Sequence, residues 1–192
     1  MGLRTMLGLK PKKKTSEHSD AYPRGEAYWQ TRSAMRYYAE ARRICREAAP
    51  KATRVIDVGS NECPQLDWFP EAKVRVSIDL VSPYSAAGIE SIVGDFLAYR
   101  PTERFDLAMC LQVLEHIEQP APFARHLLEV ANQLVVSVPY KWPEGACEWH
   151  CQDPIDEGKM LDWFGRAPDE MILVQEASGS SKSRRLISLY KS

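Results

Sequence analysis

Short apolar runs, each the length of one strand, punctuate the middle of this chain at Arg54–Val58, Val74–Leu80, Ser91–Val93, Phe105–Leu111 and Leu134–Val138. Most of them carry Val, Ile or Leu at consecutive positions, which is the pattern of parallel strands covered on both faces. Parallel strands need a crossover. Between the fourth and fifth runs, Phe123, Leu127 and Val130 or Ala131 recur at helical spacing behind Pro120 and Pro122, marking such a helix. Upstream, Tyr28 to Ala49 places Ala34, Tyr38, Ala41 and Cys45 on one helical face and predicts a single helix. Downstream, Asp153, Pro154 and Asp156 read as an N-cap, a first-turn proline and first-turn acidic charge, predicting a helix from Pro154 to Phe164. Met171–Glu176 and Leu186–Lys191 read as strands, and the Ser/Gly-rich link Ala177–Arg184 between them is too short for a helical crossover. The expected fold is α/β: a seven-stranded, mostly parallel sheet with an antiparallel last strand and helices on both faces.

A chain of 192 residues fits one domain and can bury a cofactor cleft. No run approaches the roughly 18 apolar residues that a bilayer span requires. Met1–Lys14 lacks the apolar core of a secretory signal, so a cytoplasmic protein is expected. The five cysteines are an odd, scattered set and are expected to be reduced. With 25 basic residues against 26 acidic ones, nothing draws the chain as a whole to nucleic acid. The local exception is the basic tract Lys10, Lys12, Lys13 and Lys14, within a stretch over 1–21 that lacks periodicity and reads as a flexible tail ahead of a domain over 22–192.

The strongest local signal is Arg54 to Pro64, a buried strand that ends in Asp57 and a tight turn at Gly59. Glycine lets backbone approach a ligand, and Asn61 tolerates a left-handed conformation. Twenty residues beyond Gly59, Asp79 closes the second run, where a carboxylate can accept from both ribose hydroxyls of a nucleoside. From Arg54 to Tyr140 the sequence resembles the class I S-adenosylmethionine-dependent methyltransferases, of the small bacterial type 11-like kind, whose fold is Rossmann-like. Asp57 to Cys63 matches their Asp-x-Gly-x-Gly-x-Gly loop and Asp79 their ribose-binding acid. Gly94-Asp95-Phe96 matches the adenine-binding turn, and Phe105-Asp106 through Val113-Leu114-Glu115-His116 the fourth-strand signature. The resemblance implies S-adenosylmethionine as cofactor. It implies that Asp57, Gly59, Ser60 and Asn61 form the methionine and ribose end, that Asp79 and its neighbour Leu80 hold the nucleoside, that Asp95 and Phe96 take the adenine edge and face, and that Leu111 and Gln112 flank the sulfonium. The sequence departs from the family where Asn61 and Cys63 stand for the second and third loop glycines. Nothing matches a Gly-x-Gly-x-x-Gly turn feeding a long helix, which speaks against a dinucleotide.

Methyl transfer from a sulfonium needs alignment and exclusion of water and no covalent nucleophile. A hydroxyl acceptor also needs a base, and the candidates are His150, in the long loop after the fifth run, and His116 in the Glu115-His116 pair. The segment Pro139 to Cys151 is aromatic, polar and too long for a simple connection, so it is expected to shape the acceptor pocket. Cys147, His150 and Cys151 lack a fourth ligand at zinc spacing, and no metal is expected. Tyr28, Trp29 and Arg32 read equally as a lid over the cofactor or as packing against the sheet. Cys110-Leu111-Gln112-Val113 is not the Asn/Asp-Pro-Pro-Tyr motif of enzymes that methylate exocyclic amines of DNA bases. The resemblance is closest to enzymes acting on metabolites or sugars, and the stretch His150 to Glu157 is similar to members associated with surface polysaccharides. A small-molecule or saccharide hydroxyl is therefore the expected acceptor. A non-catalytic module of the same fold, and an RNA methyltransferase guided by the lysine tract, are the alternatives.

Overall fold

The computed structural model describes residues 25–178, 180 and 183–192; the basic tract and the rest of the expected tail over 1–21 lie outside the described residues. In chain order the elements are α1 (Gly25–Arg32), α2 (Arg36–Ala48), β1 (Arg54–Val58), β2 (Val74–Asp79), β3 (Glu90–Val93), β4 (Phe105–Leu111), α3 (Pro120–Val130), β5 (Ala131–Pro139), α4 (Glu157–Phe164), β6 (Glu170–Gln175) and β7 (Arg184–Lys191). Short 3₁₀ turns occupy Gln65–Trp68, Phe96–Ala98 and Leu114–His116. All seven strands form one sheet in the order β3-β2-β1-β4-β5-β7-β6. Pairing is parallel from β3 through β5, and β7 runs antiparallel to both β5 and β6. The strand order reverses between β1 and β4, and the crevice at the carboxyl ends of those two strands is where an open α/β sheet receives a ligand.

Alternation along the strands divides the core into two layers. Val55, Leu107, Met109, Val135, Ile187 and Leu189 face α2 and the Gln65–Trp68 turn, packing with Tyr37, Ala41, Ile44, Leu66 and Phe69. Their neighbours Ile56, Ala108, Cys110, Leu134, Val136 and Leu186 face α3 and α4, against Phe123, Leu127, Met160 and Trp163. Strands buried on both faces explain the near-continuous apolar runs of β1, β4 and β5. The run at Ser91–Val93 differs, because β3 is the sheet edge and its side chains are mostly exposed.

Two helices depart from the sequence reading. The single helix expected over Tyr28–Ala49 is broken: Ser33 N donates to Trp29 O at the end of α1, Met35 is extended, and Ala34 lies exposed in the break instead of on a buried face. The cause is tertiary. The amides of Arg36 and Tyr37 donate to the two carboxylate oxygens of Glu176, each at 2.9 Å, so a side chain beyond β6 caps α2. The last helix starts at Glu157 and not at Pro154, because Asp156 is the residue that accepts from Lys159 N, while Asp153 is drawn to His150. Gly165, left-handed at φ 70°, ends it.

Glu176 is only 8 % exposed, so its removal strands two amide donors at the start of α2, that of Tyr37 buried and that of Arg36 partly so. Glu176→Ala is expected to lower the unfolding free energy by about 1–3 kcal/mol in a urea titration, and Glu176→Gln, which keeps an acceptor, by less. Equal loss in both would remove the cap as the reason for the helix break.

Candidate active site

The site begins where β1 stops. Asp57 is buried in the strand end, and burial followed by the charge of Asp79 pushes its carboxyl well above the usual carboxylate range. The Gln65 amide, with its nitrogen turned toward Asp57, donates to Oδ2 at 3.1 Å. Beyond Val58 the backbone curls through positive φ at Gly59 (78°), Asn61 (46°) and Glu62 (62°). At Gly59 the residue type is compelled, since a Cβ would lie 2.5 Å from Val113 Cγ2 at the end of β4. Asn61 and Glu62 hold left-handed geometry without glycine because their amides are tied down: Asn61 N to Asp79 Oδ2 at 3.1 Å, and Glu62 N to Ser82 O at 2.8 Å. The Ser60 hydroxyl is buried and spent within the fold, sharing a hydrogen with Ser77 Oγ at 2.9 Å and accepting from Tyr84 N at 2.8 Å.

Asp79 is the hinge of the next turn. Its Oδ1 accepts from Val81 N and Ser82 N at 2.9 and 3.0 Å, while Gly94 N donates to its carbonyl at 2.9 Å, which sets the ends of β2 and β3 side by side. Asp95 is exposed and caps the following turn, accepting from Leu97 N at 2.8 Å through Oδ1. Phe96 points inward against Phe123 and His126, with ring centroids 4.9 and 4.7 Å apart. Apolar side chains on the surface here include Val93, 66 % exposed, Leu80, 54 % exposed, Val81 and Leu97.

Below the end of β4 lies a cavity of about 190 Å³ bounded by Tyr28 and Arg32 of α1, Gln112, Glu115 and His116 after β4, and Trp142, Cys147, Trp149 and His150 from the loop after β5. Leu111 is buried in the strand end beside it. Gln112, at φ 60°, is fixed by its amide donating to Ser137 O at 2.8 Å and its side chain donating to Ser137 Oγ at 3.1 Å. The two histidines meet edge to face at 4.9 Å, and Trp142 stacks on His150 beneath the Arg185 guanidinium. His116 Nδ1 lies 3.0 Å from Trp149 O, and His150 Nδ1 2.8 Å from Asp153 Oδ2. A carbonyl and a carboxylate only accept here, so each ring carries its proton on Nδ1 and its lone pair on Nε2 when neutral. Burial holds His150 below the ordinary histidine value, with Asp153 acting in the opposite sense. Glu115 is 1 % exposed, and burial raises its carboxyl to about 8.

The structure thus brings His116 and His150 to one wall, and Asp57, Gly59, Asn61, Asp79 and Gln112 to the switch-point crevice. Trp29 is packing, edge-on to Tyr38 at 5.1 Å, whereas Tyr28 and Arg32 line the cavity. Cys151 turns its thiol to the Glu115 carbonyl at 3.4 Å. Sequence reasoning missed Glu115 as a cavity group and Asp153 as the orienter of His150. The three-residue spacing of His150 and Asp153 was the available signal, masked by reading Asp153 as a helix cap. No helix among the described residues is long and apolar enough to cross a membrane.

A methyltransferase domain family matches residues 28–167. Among solved structures the chain is similar to the N-methyltransferase NodS of Bradyrhizobium japonicum, solved with S-adenosyl-L-homocysteine, at 15% identity over 80% of this chain and 85% of that one, with TM-score 0.63. It is similar also to the 1,6-didemethyltoxoflavin-N1-methyltransferase of Burkholderia thailandensis, solved with its substrate and S-adenosylhomocysteine (14% identity, 84% and 80% covered, TM-score 0.68). A third is the N-terminal domain of EvdMO1, solved in the presence of S-adenosylhomocysteine and D-fucose (16%, 83% and 84%, 0.59). At these identities the likeness is one of fold. Among curated protein sequences none matches the chain. With the family matched over most of its length and the strand order and switch-point loop in place, the chain belongs to the class I S-adenosylmethionine-dependent methyltransferases.

Proposed function

We propose that this methyltransferase acts on a hydroxyl of a small-molecule or saccharide acceptor seated in the cavity below the end of β4. The observation that carries the reading is the convergence of His116 and His150 on that cavity beside Gln112, with both Nδ1 atoms already committed to acceptors. The residues present fit the cofactor. The left-handed backbone at Gly59 and Asn61 faces the methionine and ribose end, with Asp57 and the backbone of Ser60 supporting it. Asp79 takes the ribose hydroxyls and Asp95 the adenine edge, while the exposed side chain of Leu80 offers the apolar face that the buried Phe96 ring does not. Phe96 contributes through its backbone, and Leu111 with Gln112 closes the sulfonium end. When bound, S-adenosylmethionine supplies an activated methyl group.

The protein's own contribution is alignment, exclusion of water and removal of a proton. Aromatic Tyr28, Trp142 and Trp149 share the lining with the polar groups of Arg32 and Gln112, a mixture suited to the CH and OH groups of a sugar. EvdMO1, solved in the presence of D-fucose, shares the fold. His150 Nε2 takes the acceptor proton, and Asp153 holds the ring and stabilises the imidazolium that results.

Asp79→Ala is expected to weaken S-adenosylhomocysteine binding by about 1.5–3 kcal/mol in calorimetry, through loss of a charged acceptor; unchanged affinity in a folded variant would sink the cofactor assignment. Gly59→Ala meets Val113 as well as an unfavourable φ, so affinity should fall at least about tenfold and Val113→Ala should restore only part of it. Full restoration would mean that φ is no constraint. His150→Ala should reduce turnover about 10²–10⁴-fold while cofactor affinity stays within about threefold of wild type. Turnover left intact would point to His116 or to an acceptor, such as an amine, that needs no base.

A further inference from the structure

The carboxylate of Glu115 raises a question that methyl transfer alone does not answer. It is 1 % exposed, it borders the cavity, and its Oε2 has no hydrogen-bond partner among the described residues. A buried, unpaired carboxylate oxygen costs several kcal/mol unless something compensates it. Its neighbours in the cavity wall include the two imidazoles and Arg32, and the Arg185 guanidinium also acts on it; one ligand-capable atom from each of Glu115, His116 and His150 lies within 4.8 Å of the other two.

We propose that Glu115, His116 and His150 form a binding site for a divalent transition-metal cation, opening into the acceptor cavity. The second ring nitrogen of each histidine is fixed as in protein metal centres: His150 Nδ1 on the Asp153 carboxylate at 2.8 Å and His116 Nδ1 on the Trp149 carbonyl at 3.0 Å. Both hydrogen bonds put the lone pair on Nε2. Cations of this class sit about 2.0–2.2 Å from nitrogen and oxygen ligands, so neighbouring ligands stand roughly 3–3.5 Å apart. Closing from 4.8 Å asks for side-chain shifts of about 1–2 Å among the three ligands. One carboxylate and two imidazoles suit zinc, manganese, cobalt or iron(II), and do not suit the all-oxygen preference of magnesium and calcium. Three protein ligands leave coordination positions for the acceptor, as in catalytic sites.

The site's catalytic consequence rests on the proposed seating of the acceptor in this cavity, whereas cation binding does not. With a cation in place the acceptor hydroxyl coordinates it and releases its proton to bulk water. The oxygen–carbon bond then forms as the sulfur–carbon bond breaks, and the cation takes over the task given above to His150.

The test is titration of EDTA-treated, dialysed protein with MnCl₂, ZnCl₂ and CoCl₂, read by calorimetry and by the visible absorption of bound Co²⁺. One cation should bind per chain. Affinity should fall at least tenfold in Glu115→Gln and in His150→Asn, and by a smaller factor in Asp153→Asn, each checked for folding by circular dichroism. Cys147→Ser and Cys151→Ser should bind as wild type does. Absence of binding at 1 mM cation, or binding that all three site variants keep, would overturn the proposal. Cation binding without affinity for S-adenosylhomocysteine would defeat the methyltransferase reading and spare the site. Turnover that survives chelation in a protein that binds no cation would do the reverse.

Discussion

At the reversal of strand order the backbone after β1 passes so close to Val113 that a single Cβ at Gly59 would lie 2.5 Å from it. That close approach sets the geometry of everything at the carboxyl edge of the sheet. The residues that follow continue through left-handed conformations held by the amide of Asn61 on Asp79 and the amide of Glu62 on Ser82. The turns after β1 and β2 are thereby sewn together, and Gly94 N joins the turn after β3 to them through the Asp79 carbonyl. Three carboxylates, Asp57, Asp79 and Asp95, end up along one rim. Asp57 is buried, with its carboxyl pushed well above the usual carboxylate range, while Asp79 and Asp95 are at least partly open.

The acceptor side is built on a different principle. Its residues come from elements far apart in sequence: α1, the turn after β4, and the loop after β5. They are held by aromatic contact and a few directed hydrogen bonds. Trp142 lies between His150 and Arg185, and its indole nitrogen donates to the Arg184 carbonyl at 3.1 Å. The backbone amide of Cys151 donates to the Glu115 carbonyl at 2.9 Å, so the loop carrying His150 is pinned beside the 3₁₀ turn carrying Glu115 and His116. The cost of confining a carboxylate, two imidazoles and a guanidinium in so little solvent is visible in the directions of their titration: Glu115 up, His150 and Arg185 down, each chiefly by burial. Perturbed groups of this kind gather where chemistry is done.

The sheet and the crevice are legible in the order of residues. Buried parallel strands require unbroken apolar runs, a tight turn against a neighbouring strand requires glycine, and helical crossovers require a 3.6-residue period, so each of these features is written locally. The seven strands, the antiparallel β7 and the placing of Asp57, Gly59, Asp79 and Asp95 at strand ends follow from patterns a few residues long. The remaining features depend on contacts between distant segments. The break between α1 and α2 depends on Glu176, some 140 residues away, and Asp153 serves His150 where its local context reads as a helix cap. Phe96 turns inward because Phe123 and His126 offer it a core, a contact no local rule could anticipate. The assembly of Glu115, His116 and His150 belongs to the same class: His116 and His150 stand 34 residues apart along the chain, and only the packing of the loop after β5 against the turn after β4 brings a carboxylate and two imidazole lone pairs to one wall.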